Sequence, residues 1–205
     1  MLKVDHISVM NLENAIRGAR NPLNSWARSD SGYDENGVYR LGENDLGLAR
    51  RLCRAGSDHR KFLRQILVSA DITAPLYWWK EFDTYKVGTV ANSTSTMHKI
   101  HAKPFSREDF SCDHMNPQTL EQMDRVIAFL EELRQQYQKT KDKDIWYSII
   151  QFLPSSYNQM RTVTMNYENL VGMVRSRKNH KLQEWHDFCH WAETLPYAKE
   201  LILFE

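Results

Sequence analysis

Long apolar runs are missing from this 205-residue chain, and no stretch approaches the roughly 20 residues that a helix needs to span a bilayer. The opening Met-Leu-Lys-Val-Asp-His has no apolar segment behind a basic start, so neither secretion nor membrane insertion is expected. Cysteine is scarce: Cys53, Cys112 and Cys189 are odd in number, widely spaced and without a CxxC pair. That excludes a disulfide framework and suits reduced thiols in a cytoplasm. An excess of one charge is also lacking, since 27 Lys and Arg face 26 Asp and Glu for a net charge of +1. A non-specific nucleic-acid binder is therefore not expected, and any anionic ligand must be met by a local cluster. The GxSxG elbow, the P-loop and the GxGxxG fingerprint are absent, which removes the serine-hydrolase elbow and both common phosphate cradles.

What is present is ordinary globular composition, 41% hydrophobic and 26% charged, with a generous six Trp and nine Tyr for core, interface or stacking pocket. Val4, Ile7 and Val9 alternate in a predicted strand over 3–10, and 12–19 reads as a short helix ending before Pro22. Residues 21–42, rich in Asn, Ser, Asp and Gly, read as a long loop of the kind that is often functional. Asn44 is the expected cap of a helix through Ala55, with Leu46, Ala49, Leu52 and Cys53 on one face and Gly56 as its stop. A strand is expected over 66–73, then a helix opened by Pro75 that carries Trp78, Trp79 and Phe82. Leu120, Met123, Ile127, Leu130, Leu133 and Tyr137 recur at three and four residues, predicting an amphipathic helix over 119–140. A helix over 145–152 broken at Pro154, a strand over 161–165 bounded by Asn166, and two or three helices to Phe204 complete the reading. With no internal repeat and no low-complexity linker, 1–205 is one domain of the α+β class, helix-rich with a small mixed or antiparallel sheet.

Two polar constellations suggest chemistry. The segment 86–98, Lys-Val-Gly-Thr-Val-Ala-Asn-Ser-Thr-Ser-Thr-Met-His, offers Asn92 and the hydroxyls of Ser93, Thr94, Ser95 and Thr96 as small donors for a phosphate or sugar. Its plain alternative is a solvated loop with local turn bonds. His186, Cys189 and His190 stand at i, i+3 and i+4 and would share one helix face, with His98 and His101, and Cys112 and His114, as further pairs. Regular ligand pairs and an HExxH register are missing, so these histidines read as interface or core residues beside Trp185 and Trp191, and no metal is expected.

Residues 62–86, Phe-Leu-Arg-Gln-Ile-Leu-Val-Ser-Ala-Asp-Ile-Thr-Ala-Pro-Leu-Tyr-Trp-Trp-Lys-Glu-Phe-Asp-Thr-Tyr-Lys, resemble the strand and helix of flavin-dependent thymidylate synthases that run through Ala-Pro into an Arg-His-Arg signature. The signature positions here are Thr84, Tyr85 and Lys86, the following Ser is Thr94, and the closing Arg-Tyr is Thr96 and Met97. Ala15-Ile-Arg-Gly-Ala-Arg20 is similar to the family's early Ala-Ala-Arg segment. Leu153-Pro-Ser-Ser-Tyr-Asn-Gln-Met, with Thr164-Met-Asn-Tyr-Glu-Asn-Leu170 and Arg177, resembles its C-terminal block.

The resemblance implies a homotetramer with active sites where subunits meet, FAD as cofactor, and methylene transfer from methylene-tetrahydrofolate to the pyrimidine nucleotide dUMP with reduction by NADPH. It implies cofactor contacts from Tyr85, Lys86, Asn92, Asn166 and Arg177. Substrate contacts are implied for Glu81, Ser93, Thr94, Ser95, Thr96 and again Arg177. The departures cluster on these groups. Lys86 alone supplies a compact charge where two planar bidentate donors are implied, Glu81 replaces a Gln, Gln65 a His, and Ile150 and Glu168 each an Arg. Such a pattern points to a changed ligand or to lost catalysis in a binding or regulatory module, with Arg161, Arg175, Lys99 and His98 as candidate compensating cations.

Overall fold

The alternation of Val4, Ile7 and Val9 does form a strand, β1 (Lys3–Met10), in a computed structural model that describes residues 2–204. Helix α1 (Leu12–Ala19) follows and buries Ala15 and Ile16. Residues 21–42 are not a featureless loop. They hold two one-turn 3-10 segments, Asn21–Leu23 and Trp26–Arg28, and a hairpin of β2 (Gly32–Tyr33) and β3 (Tyr39–Arg40) with Tyr33 opposite Tyr39. The hairpin turn is made by Asp34, whose carboxylate accepts the N–H groups of Asn36 at 3.0 Å and Val38 at 2.9 Å. Gly37 supplies the positive φ of 73° that such a turn requires.

Helix α2 (Glu43–Arg54) begins two residues earlier than its composition suggests, with Gly42 rather than Asn44 at the cap position. Its free N–H groups are met by a distant side chain: the Asp30 carboxylate accepts from Asn44 at 2.8 Å and Asp45 at 3.1 Å. A Cβ on Gly42 would stand 2.2 Å from Asp30 Cγ, so glycine is what lets the carboxylate approach.

The remaining elements are β4 (Leu67–Pro75), α3 (Leu76–Phe82), β5 (Val90–Ser93), α4 (Pro117–Thr140), α5 (Lys143–Phe152), β6 (Asn158–Asn166), α6 (Tyr167–Arg177), α7 (Gln183–Glu193) and α8 (Ala198–Leu201). The four-stranded sheet has the order β1-β4-β6-β5. The fold is thus α+β, helix-rich with a small antiparallel sheet. Strand β5 lies inside the segment expected to be a loop, because its polar and β-branched residues, all exposed, occupy a sheet edge where no core periodicity is required. No described helix is long and apolar enough to cross a membrane.

Two compact units divide the chain: one takes the residues up to 3 with 72–84 and 92–162, the other 4–71, 85–91 and 163 onward. The first is centred on Met123, Ile127 and Leu130 of α4 and Ile149 of α5, packed with Ile100, Phe105 and Phe110 from the connection that precedes α4. Asn116 caps α4 by accepting the Thr119 N–H at 2.9 Å, one turn before the first periodic apolar residue. At the partly buried edge of this core, Glu131 of α4 accepts two bonds from Arg134 at 2.7 Å, one from Gln135 at 3.0 Å and the Phe105 N–H at 3.1 Å. Arg134 chiefly holds this carboxyl down, to about 2 against an ordinary 4.5. Because the folded value lies below the unfolded one, this stabilisation is complete above about pH 4.5 and is lost as pH falls toward 2. Urea unfolding across that window is expected to show a stability deficit in Glu131→Gln at neutral pH that narrows as the solution is acidified.

The second unit buries Leu170, Val171, Met173 and Val174 of α6 and Trp185, Phe188, Cys189, Trp191 and Ala192 of α7. Burial pushes the free thiols of Cys53 and Cys189 up, to about 12 and about 11, so both are inert packing groups.

Candidate functional site

Asn166 closes β6 and caps α6. Its side chain accepts the Asn169 N–H at 2.9 Å while Asn169 accepts the Asn166 N–H at 3.1 Å, a reciprocal capping box. The segment 85–89 docks on this helix start, where Asn169 Nδ2 donates to the Val87 carbonyl at 2.7 Å. Gly88, at φ +81°, leaves no room for a side chain, since a Cβ would meet Asn166 Nδ2 at 2.9 Å and Asn169 Oδ1 at 3.0 Å. Gly88→Ala is expected to lower stability by about 1–2 kcal/mol through backbone strain and displacement of the amide pair, measurable by denaturant unfolding.

The docking brings Tyr85 to the last turn of α6. Arg177 Nε donates to the Tyr85 hydroxyl at 2.8 Å, and its guanidinium lies 4.7 Å from the Trp185 ring centroid and 5.5 Å from that of Tyr85. The two rings meet edge to face at 5.9 Å. A half-buried guanidinium held against two aromatic rings keeps its charge while its orientation is fixed. Of the residues assigned to a cofactor by resemblance, Tyr85, Asn166 and Arg177 therefore sit on or against one helix, and Lys86 is exposed beside them. Glu168, where the resemblance implies an arginine, is neutralised by Arg60 at 2.9 Å.

The same unit contains a cavity of about 760 Å³ between α1, α2 and the 3-10 segment Arg60–Gln65. Its volume lies within the roughly 300–1,000 Å³ usual for ligand sites. Leu48, Leu52 and Phe62 give it apolar walls, and Lys61 and Arg64 are exposed cations at its edge beside the exposed His59 ring. The sequence marked the 21–42 loop, whose Asn21, Pro22, Leu23 and Ser25 line this cavity, and named Gln65, which also lines it, but assigned the cavity no role. The available signal was local: His59, Arg60, Lys61 and Arg64 put four basic groups within six residues, just after the glycine that stops α2.

The other implied substrate residues, and Asn92 of the implied cofactor contacts, lie in the first unit. Glu81 is on α3, half-buried. Asn92 and Ser93 end β5 and are exposed. Thr94 is spent on structure, its N–H and hydroxyl both reaching the Met160 carbonyl, at 2.9 and 3.1 Å. Ser95 accepts the N–H groups of Met97 and His98 at 3.2 and 2.9 Å in a local turn, as the plain reading of this loop expects, while Thr96 is half-buried beside it. Two candidate compensating cations are committed elsewhere. Arg161 binds Asp83 at 2.8 Å, and Arg175 donates to the Phe204 carbonyl at 3.2 Å. The His186, Cys189 and His190 face forms no metal cluster, and no group of three such side chains does so among the described residues. His186 Nε2 instead lies 2.6 Å from the His180 carbonyl, Cys189 turns into the core and His190 is exposed.

No protein-family model matches this sequence, and no curated protein does. Solved structures do. The chain matches thymidylate synthase X from Helicobacter pylori with FAD and dUMP at a TM-score of 0.70 and 18% identity, over 100% of this chain and 98% of that one. A second structure, of the flavin-dependent thymidylate synthase from Helicobacter pylori complexed with FAD and dUMP, gives 0.66 and 19% over 100% and 97%. PolB from Streptomyces cacaoi, a UMP/dUMP methylase bound with 5-Br dUMP, gives 0.62 and 16% over 99% and 95%. At these identities the likeness concerns the backbone: end to end, the chain has the fold of the flavin-dependent thymidylate synthases.

Proposed function

We propose that this chain is a flavoprotein of the thymidylate synthase type that binds FAD and a pyrimidine nucleotide. In this reading it transfers a methyl or methylene group to dUMP or a related nucleotide with altered specificity. The observation that carries the reading is the full-length likeness to proteins crystallised with FAD and dUMP, joined to the placement of Arg177 against Tyr85 and Trp185. A fixed guanidinium, a phenol and an amide suit the carbonyl-rich edge of a planar ring, so Tyr85, Lys86, Asn166 and Arg177 are the residues that would hold a flavin ring. FAD, when bound, supplies the two-electron chemistry of such a reaction, with NADPH and methylene-tetrahydrofolate as co-substrates. The chain's own part is to orient and charge-stabilise: Arg177 presents a permanent cation, and the 85–89 segment holds Tyr85 against it. A homotetramer and a cytoplasmic setting belong to the same reading.

An absorbance scan of the purified protein, before and after incubation with FAD and desalting, tests it. A retained flavin band that Arg177→Ala abolishes is expected. A second reading, a non-catalytic module on the same frame, is favoured by the way Asn166 and Asn169 satisfy each other and by the single ammonium at positions 84–86. A colourless protein that binds no added FAD supports this second reading. NADPH consumption that depends on both folate and a pyrimidine nucleotide excludes it.

A further inference from the structure

A second cavity, about 360 Å³, opens beside the large one in the same unit and shares Leu23, Ser25 and Leu48 with it. Three arginines line it: Arg20, Arg28 and Arg51. Arg20 is only 4% exposed. It spends Nε on Asp45 and Nη1 on the Ser25 carbonyl at 3.2 Å, while its Nη2 is buried without a hydrogen-bond partner. Buried guanidinium nitrogens are ordinarily paired, so this one marks a place where an acceptor is missing. Arg28 and Arg51 are exposed and make no ion pair or hydrogen bond through their side chains among the described residues. Arg51 folds back toward the start of α2, its Nη1 lying 3.7 Å from where a Cβ on Gly47 would be. The only carboxylate in the lining is Glu43, and the first turn of α2 is already capped by Asp30.

We infer that this arginine pocket holds a diphosphate group, with Arg28 and Arg51 as its principal partners and the Arg20 guanidinium, part of the same lining, behind them. The planar forks of two unpaired guanidinium groups match two phosphoryl groups in a way that one lysine ammonium cannot. The inference rests on the nucleotide-binding reading above and deepens it. The phosphoryl charge of a dinucleotide, which Thr84, Tyr85 and Lys86 can no longer neutralise, is met at α2 instead, while its adenosine part enters the larger apolar cavity next door.

Calorimetric titration of inorganic pyrophosphate, ADP and FAD into the full chain tests this, with Arg28→Gln, Arg51→Gln and, as a control further along the same helix, Arg54→Gln. Circular dichroism verifies folding of each exposed-site variant. The expected result is that ADP and FAD bind, that each of the first two substitutions weakens both by about tenfold or more, and that Arg54→Gln changes neither. Affinity falling steeply with salt accompanies it. FAD bound equally well by wild type, Arg28→Gln and Arg51→Gln overturns the inference and leaves the flavoprotein reading standing. Pyrophosphate or ADP bound in an Arg51-dependent way without any FAD upholds the pocket and removes the flavin. No binding of any of the three probes overturns both.

Discussion

Replacing Asp45 by alanine is expected to destabilise the protein by about 3–5 kcal/mol, because it leaves the Arg20 guanidinium buried and uncompensated. Asp45 is 0% exposed and Arg20 4%. The carboxylate also accepts from Ser29 Oγ at 2.7 Å, Ser31 Oγ at 2.5 Å, and the N–H groups of Asp30 and Ser31 at 3.3 and 3.2 Å. One side chain thus terminates the polar groups of the 29–31 segment and the cation of the α1 end at once. Burial alone would raise this carboxyl, but the hydroxyls of Ser31 and Ser29 and the Arg20 guanidinium outweigh it and hold the group below its ordinary value. Its contribution is therefore present above the unfolded carboxyl value, about 3.9, and is lost as pH falls through the lower folded value. Urea unfolding at neutral pH measures the loss. Asp45→Asn, which keeps the volume and one acceptor but not the charge, is expected to fall between wild type and Asp45→Ala. A stability for Asp45→Ala within about 1 kcal/mol of wild type would show that the network contributes little net free energy.

Trp79→Ala is the second large effect, again about 3–5 kcal/mol. Trp79 is 1% exposed and packs edge to face on Trp78 and Phe82, with centroids 4.9 and 5.2 Å away. Its indole N–H donates to the Gln159 carbonyl at 2.9 Å, and the Arg161 guanidinium covers its ring at 4.2 Å. Truncation removes the apolar burial, leaves a void, orphans a buried carbonyl and strips a half-buried cation of its ring, all in the same direction. Trp79→Phe, which refills most of the space but cannot donate, is expected to recover more than half of the loss. A double-mutant cycle with Arg161→Met isolates the cation–ring component at about 0.5–2 kcal/mol. If the two substitutions add without coupling, the 4.2 Å contact is geometric only.

The sequence made the periodic elements plain and the aperiodic ones obscure, for physical reasons. Helix α4 was legible because Met123, Ile127 and Leu130 must all reach one core, so the expected span 119–140 meets the observed end and falls two residues short of the start, which Asn116 caps ahead of the apolar pattern. The cap of α2 was misread. Asn44 is a good capping residue, but Asp30, fourteen positions earlier, took the role, and no local pattern encodes a long-range carboxylate. Strand β5 was missed because edge residues need no apolar alternation. The candidate site divides along the same line. Tyr85, Asn166 and Arg177 were named through resemblance, and a guanidinium on a phenol is how the structure joins two of them. The arginine pocket was not legible as a site, since Arg20, Arg28 and Arg51 lie on three segments distant in sequence that only the fold brings together.

The division of the chain into two units carries a consequence for how the protein can be made or altered. The backbone passes from one unit to the other after residues 3, 71, 84, 91 and 162, and four of those passages, all but the one after 84, fall inside β1, β4, β5 and β6. No single cut releases either unit as a continuous fragment. Expression of either half of the gene therefore does not yield either unit, and a protease that opens the exposed residues 86–88 is expected to yield two pieces that stay together until denatured.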